Sequence, residues 1–330
     1  MEQRPLGRTG RTASVVGLGT WQLGADWGDV SEDAAREVLE ASLVEGVTFF
    51  DTADVYGDGR SERILGGFLA DHAEEGIFVA TKMGRRMDQV PENYVAENFR
   101  AWTDRSRANL GVDRLDLVQL HCPPSAVIAS DATYDALDAL VEDGTIAAYG
   151  VSVETVDQAL DALTRPHLAS IQIILNAFRL KPLDQVLPAA AEAGVAIIAR
   201  VPLASGLLSG RYDASTTFAP DDHRNYNRDG SAFDVGETFS GVDYATGVQA
   251  AREFSALVSE HLPDVTPAQA ALAWVVQQPG VTTVIPGARN AEQARANARA
   301  AQVGPLDAEL LDGVRRIYDE HFRATVHPRW

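Results

Sequence analysis

Asp51, Tyr56, Lys82 and His121 are the residue types that could together protonate a carbonyl oxygen. Three short apolar runs bring them in. Val47–Phe50 stops at Asp51, and Tyr56 follows five residues later, after the turn Thr52-Ala53-Asp54-Val55; Ile77–Thr81 stops at Lys82, and Leu115–Leu120 at His121. A free phenol, with a pKa of about 10, is a sluggish acid at neutral pH. A nearby ammonium stabilises the phenolate and lowers that pKa, and a carboxylate holds the ammonium in place. Tyr56 is thus read as the proton donor to a developing alkoxide, Lys82 as the pKa-lowering cation and Asp51 as its buried counter-ion. His121 orients the carbonyl oxygen and assists proton transfer. In reverse, the tyrosinate takes a proton from an alcohol. Taken singly, Asp51–Lys82 could be a structural ion pair, His121 a hydrogen-bonded core histidine and Tyr56 a loop aromatic, so the joint arrangement carries the chemistry.

Two neighbours sharpen this reading. The chain has two lysines, Lys82 and Lys181, against 26 arginines (28 basic residues minus two). A lysine at a strand end fits a role Arg cannot fill, because Lys shifts its pKa readily. Cys122, beside His121, reads as a small buried packing residue. The pair lacks the wider ligand set of a zinc site, so no metal is expected.

The elements that position these groups alternate regularly. Strand-like runs at 15–20, 47–51, 77–82, 115–121, 146–151, 168–175, 195–201 and 281–285 are each followed by a helical pattern. Those helices span 31–43, 61–72, 92–110, 131–142, 154–164, 184–193, 267–278 and 291–301. Eight βα units with mostly short connections predict an α/β fold, a closed (β/α)8 TIM barrel, in which catalytic groups sit at the C-terminal strand ends. Residues 4–14 predict an N-terminal hairpin, and 241–261 and 306–323 predict two additional helices. Loop 203–240 is too long for an ordinary connector and reads as a lid or a disordered segment. No domain boundary is visible, so 1–330 reads as a single domain. Gly17 and Gly19 do not make a dinucleotide fingerprint, because position 22 is Gln and no helix follows at once. They read instead as positions of close strand approach.

Composition narrows the partners. At 330 residues and 45% hydrophobic, the chain can bury a large core. A net charge of −19 argues against nucleic acid or an anionic membrane surface, which need a basic face. One cysteine allows no intrachain disulfide, and no signal peptide or membrane-spanning apolar run is present, so a cytoplasmic protein is expected. A monomer or small homo-oligomer is anticipated.

The chain resembles the aldo-keto reductase superfamily over nearly its whole length. The resemblance rests on GLGTWQLG (17–24), FFDTADVYG (49–57), ATKMG (80–84), LDLVQLHCP (115–123), YGVS (149–152), PLASGLLSGRY (202–212) and VIPGARNAEQARAN (284–297). It implies an oxidoreductase that interconverts a small carbonyl compound or sugar and its alcohol. The family's catalytic tetrad falls on Asp51, Tyr56, Lys82 and His121. The same motifs imply nucleotide contacts from Gly19, Thr20, Trp21, Asp51, Pro202, Leu203, Ile285 and Gly287. Ser205 and Gly206 match positions that approach the pyrophosphate, and Ser152 and Gln172 match those that hold the nicotinamide carboxamide. Gln293 and Asn297, four residues apart on one helix face, resemble the family's adenosine contacts.

The local residues point to the same cofactor. Residues 285–301 hold Arg289, Arg295 and Arg299 against Glu292, a net +2 (three minus one) within an acidic chain. The run Ile285–Asn290 leads into a helix start, where backbone N–H groups favour an anion. Arg289 is the candidate for a 2′-phosphate, which makes the expected cofactor NADP(H). Two departures from the family pattern stand out. Val153 replaces a common asparagine, and Arg200 stands where many members place an aromatic ring under the nicotinamide. A guanidinium plane can stack there, and its charge would favour the reduced, neutral ring.

The substrate pocket is expected among Trp21, Trp27, Tyr56, Met83 and His121, with Tyr94, loop 203–240 and the tail 325–330 also within reach. Two other readings use the same residues. One is a nicotinamide-nucleotide-binding regulatory subunit with little turnover, as the family's potassium-channel β-subunits resemble. The other is a Schiff-base lyase using Lys82.

Overall fold

The computed structural model describes residues 1–24, 30–232 and 235–330. Among the described residues, ten strands form in chain order: β1 (Gln3–Pro5), β2 (Thr12–Ser14), β3 (Leu18–Gly19), β4 (Phe49–Asp51), β5 (Phe78–Met83), β6 (Leu117–His121), β7 (Tyr149–Ser152), β8 (Ser170–Ile174), β9 (Ala196–Arg200) and β10 (Val281–Val284). β3 to β10 pair in parallel with their sequence neighbours. The ring closes where β3 meets β10: Gly17 N donates to Val284 O at 2.8 Å and Gly19 N to Pro286 O at 3.0 Å. A Cβ on Gly17 would sit 2.8 Å from Phe49 O, and one on Gly19 2.9 Å from Ile285 O. Glycine is what lets the first strand approach its neighbours, as expected.

The strand alternation separates two cores. Phe49, Phe78, Leu117, Ala148, Ala196 and Ile198 pack inside the barrel, while Phe50, Val79, Val118, Leu120, Val151 and Ala199 face the surrounding helices. The hairpin β1–β2 adds Leu6 and Ala13 to the inner cluster and so plugs the N-terminal mouth. Arg4 fixes it there, donating to Val276 O at 2.9 Å and Val281 O at 2.7 Å.

The first large helix, Glu32–Val44, shows why the others form. Ser31 Oγ accepts from Ala34 N at the N-terminus, Glu32 and Asp33 suit its positive end, and Ala35, Val38, Leu39 and Ser42 bury one face. The two additional helices, Tyr244–His261 and Ala308–His321, pack on each other outside the barrel. Among the described residues, no helix is long and apolar enough to cross a membrane.

Three details differ from expectation. The first strand shrinks to Leu18–Gly19, because its N-terminal part pairs only through bridges and single hydrogen bonds. A short helix, Ser125–Ile128, follows β6. Loop 203–240 is organised by short turns at Ala204–Ser209, His223–Tyr226 and Val235–Glu237, with Phe239–Gly241 closing it.

Candidate active site

Period-2 alternation that places Phe49, Phe78 and Leu117 inward places Asp51, Lys82, Gln119 and His121 inward one or two steps later. Three neighbouring strand ends, those of β4, β5 and β6, therefore share one rim. Lys82 Nζ donates to Asp51 Oδ1 at 2.5 Å, to Thr52 O at 2.9 Å and to Tyr56 Oη at 3.3 Å. The ring of Tyr56 stacks near Trp21, 6.0 Å between centroids, and meets His121 edge-on at 5.9 Å. All four members of the expected tetrad thus meet at one point.

Asp51 is held from both sides. Its Oδ2 accepts from Gln172 Nε2 at 2.8 Å and from Gln119 Nε2 at 3.2 Å, and Ser152 Oγ donates to Gln172 Oε1 at 3.3 Å. A continuous chain, Ser152–Gln172–Asp51–Lys82–Tyr56, therefore links the two residues assigned to a carboxamide with the two assigned to the proton. Gln119 was not singled out from sequence. Its position two residues before His121 on an inward-facing strand was the available signal.

Burial governs the charges here. Desolvation opposes the Lys82 ammonium, but Asp51, Tyr56 and the hydrogen bonds to both outweigh it and hold its pKa above the ordinary value. For Tyr56, burial raises the pKa, Lys82 draws it down, and Asp51 and Glu237 push it up again. The phenol therefore titrates above its ordinary value, contrary to the lowered pKa expected from sequence. Lys82 moderates the effect of burial without reversing it. His121 is pushed well below its ordinary value, first by burial and then by Arg85, Lys82 and Arg200. Its ring is neutral at physiological pH and can donate or accept a hydrogen bond.

The rim opens into a cavity of about 1310 Å³. Ordinary small-ligand pockets run roughly 300–1,000 Å³, so this one has room for a large ligand beside a small one. Of the tetrad, Asp51, Tyr56 and His121 line it. So do Gly19, Thr20, Trp21, Ser152, Gln172, Arg200, Pro202, Leu203, Ser205, Gly206, Ile285, Gly287, Arg289, Gln293 and Asn297, every residue expected at a nucleotide. Several are committed within the protein. Thr20 Oγ1 donates to Asp51 O at 2.9 Å. Ser205 Oγ donates to Glu237 O at 2.9 Å and accepts from Phe239 N at 3.0 Å, leaving the hydroxyl no proton for an anion. At the far end, Asn290 Oδ1 caps the helix Ala291–Ala298, Gln293 Oε1 accepts from Arg289 N at 3.0 Å, and Asn297 Nδ2 donates to Gly287 O at 3.1 Å. These bonds shape the 287–290 turn, while Arg299 reaches away to Glu45 at 3.0 Å.

Arg200 enters from β9 as an inward residue, and its guanidinium is matched by Glu237, with Nη2 also donating to Val153 O at 3.1 Å. Glu237 comes from the long loop and was missed. Nothing in a run of Gly, Ser and Asp marks which acid will fold back over a strand end. The loop also delivers His223, whose ring lies 4.9 Å from Trp21. Loop 203–240 is therefore part of the site wall.

Some substrate-pocket expectations are corrected. Met83 follows the inward-facing Lys82 and so points outward, fully buried among the helices. Tyr94 packs edge-on against Phe99 and Trp102 under Gly84 and does not line the cavity. The tail turns aside: Trp330 lies under Arg179, 4.0 Å from its ring centroid, and against Gly241. Trp27 lies outside the described residues.

Known proteins resemble this chain in sequence and fold. The family model described as "Aldo/keto reductase family" matches residues 15–319. An oxidoreductase of Mycobacterium tuberculosis is 33% identical over 91% of this chain and 88% of its own length. Among solved structures, the glycerol dehydrogenase AKR11B4 from Gluconobacter oxydans superposes with a TM-score of 0.78 at 30% identity, covering 97% of this chain and 95% of that one. The holo form of the aldo-keto reductase AKR11C1 from Bacillus halodurans superposes with a TM-score of 0.77 at 26% identity, covering 99% of each chain.

Proposed function

The chain belongs to the aldo/keto reductase family, and from that premise we propose that it is an NADP(H)-dependent oxidoreductase interconverting a small aldehyde or ketone and its alcohol. The observation that carries the reading is the Asp51–Lys82–Tyr56 contact chain beside a cavity of about 1310 Å³, roomy enough for a large ligand.

The residues present fit such a cofactor. Ser152 and Gln172 would meet its carboxamide, Arg200 and Trp21 would flank the ring, and Arg289, Gln293 and Asn297 would hold the adenosine end. When bound, the nicotinamide supplies or accepts a hydride at the carbonyl carbon. The protein's part is the proton. Tyr56 gives its phenolic proton to the carbonyl oxygen, and the Lys82 ammonium steadies the phenolate left behind until solvent returns a proton. His121, neutral and lining the same cavity, would hydrogen-bond the same oxygen and orient it. Because Tyr56 holds its proton through neutral pH, it stands ready as the acid of reduction.

Steady-state turnover of an aldehyde with NADPH and NADH, in wild type and Arg289→Gln, tests this. Turnover with NADPH is expected, and the variant should raise KM for NADPH about tenfold or more with little effect on NADH, the scale of one lost charge-assisted hydrogen bond. No oxidation of either nucleotide by any aldehyde or ketone would favour the regulatory reading.

A further inference from the structure

Among the described residues, Arg85 and Arg200 lie beside the tetrad's own Lys82, and the three cations are not equally satisfied. Lys82 is matched by Asp51 at 2.5 Å, and Arg200 by Glu237 at hydrogen-bond distance. Arg85 is matched more loosely: Glu154 Oε1 lies 3.5 Å from its Nη2, and Glu237, already bonded to Arg200, also acts on it. β5 explains how Arg85 reaches the site. Gly84, at φ +114°, turns the chain after Met83, and Arg85 comes back to line the cavity. Its Nε donates to His121 O at 3.2 Å, which pins the guanidinium beside the catalytic histidine and leaves its outer edge toward the cavity. Gln89 tightens the same corner, donating to His121 O at 3.0 Å and Cys122 O at 2.9 Å, with Cys122 held at φ +47°.

We infer that Arg85 is a specificity-determining residue that holds a carboxylate carried by the substrate, so that the preferred substrates are small carbonyl acids rather than neutral aldehydes. This rests on the reductase reading above. The planar guanidinium offers a fork that a carboxylate accepts from two N–H groups, and in this half-enclosed site such a pair is stronger than in water. Glu154 is displaced or shared, because its contact is too long to be a full hydrogen bond. Trp21, Val55 and Met87 supply the apolar wall that a short carbon chain between carbonyl and carboxylate would touch. The local field agrees: Arg85, Lys82 and Arg200 all disfavour a positive charge on His121.

The test compares succinate semialdehyde with its methyl ester at saturating NADPH in wild type, Arg85→Gln and Arg85→Lys. Wild type should favour the acid in kcat/KM by about tenfold or more, in line with a hydrogen-bonded charge pair. Arg85→Gln should bring the acid-to-ester ratio toward one through KM for the acid, and Arg85→Lys should keep part of it. Calorimetric titration of 4-hydroxybutyrate and 1,4-butanediol into the protein loaded with NADP⁺ gives the same comparison without turnover. A wild-type ratio at or below one, or a ratio unchanged by Arg85→Gln, overturns the inference; the second result would leave Arg85 as a clamp on His121 alone. Should neither compound turn over, the titration alone decides the role of Arg85, and the reductase reading is judged separately on the wider set of aldehydes and ketones.

Discussion

Gln172 donates its side-chain amide to Asp51 at 2.8 Å, so a residue expected at the nucleotide also touches the counter-ion of the proton-donating pair. Gln119 shares that oxygen at 3.2 Å from a fully buried position. The two glutamines should therefore separate in kinetics. Gln172→Leu is expected to weaken nucleotide binding and lower kcat together. Gln119→Leu is expected to lower kcat about tenfold, the scale of one hydrogen bond to a charged group, with nucleotide affinity unchanged. Nucleotide titration by fluorescence beside steady-state rates checks both.

Glu237 changes what Arg200 means. With its charge matched by the loop, the guanidinium is expected to exert little bias between oxidised and reduced nicotinamide. Glu237→Gln should expose that bias, raising the ratio of NADP⁺ to NADPH dissociation constants severalfold. It should also lower the melting temperature, since removing one partner of a buried pair costs about 3–5 kcal/mol. An unchanged ratio would show that Arg200 does not face the ring.

Asp54 is fully buried, with neither carboxylate oxygen hydrogen-bonded, and its pKa is raised to about 7 by burial, then by Glu62, against the pull of Arg86 and Arg105. The folded state therefore binds this proton more tightly than the unfolded chain. That contribution to stability is complete below the unfolded value of 3.8, is lost as pH rises toward about 7, and is flat above. Asp54→Asn removes the titration. Its stability relative to wild type should rise between about pH 4 and 7, by up to about 4 kcal/mol at 1.36 kcal/mol per pKa unit, then level off. Denaturant melts at pH 4, 5.5, 7 and 8.5 measure it, and a constant difference would contradict the assignment.

Much of this was legible in the chain. Eight strand–helix repeats and three runs ending in Asp51, Lys82 and His121 sufficed for the barrel and its reactive rim, because parallel strands buried on both faces leave a near-continuous apolar signal. The residues expected at a nucleotide, which line one cavity, were readable through motifs whose backbone geometry is local. What stayed hidden was long-range. The partnership of Glu237 with Arg200 spans 37 residues of irregular chain, and Gln119 looked like one more strand residue until its neighbours were in place. Met83 was misplaced for a simpler reason: a strand that turns Lys82 inward must turn its successor outward. The pKa of Tyr56 depends on the balance of burial against one ammonium, which no spacing reveals.

The most direct test is turnover of an aldehyde by Tyr56→Phe with saturating NADPH, alongside nucleotide binding by the same protein. Removing the one hydroxyl that Lys82 supports should cut kcat by about 10²- to 10⁴-fold while NADPH still binds, the range for losing a positioned acid. Turnover within about threefold of wild type, with the fold intact, would mean that the proton reaches the carbonyl oxygen from another group and that the Asp51–Lys82–Tyr56 chain is not the catalytic acid.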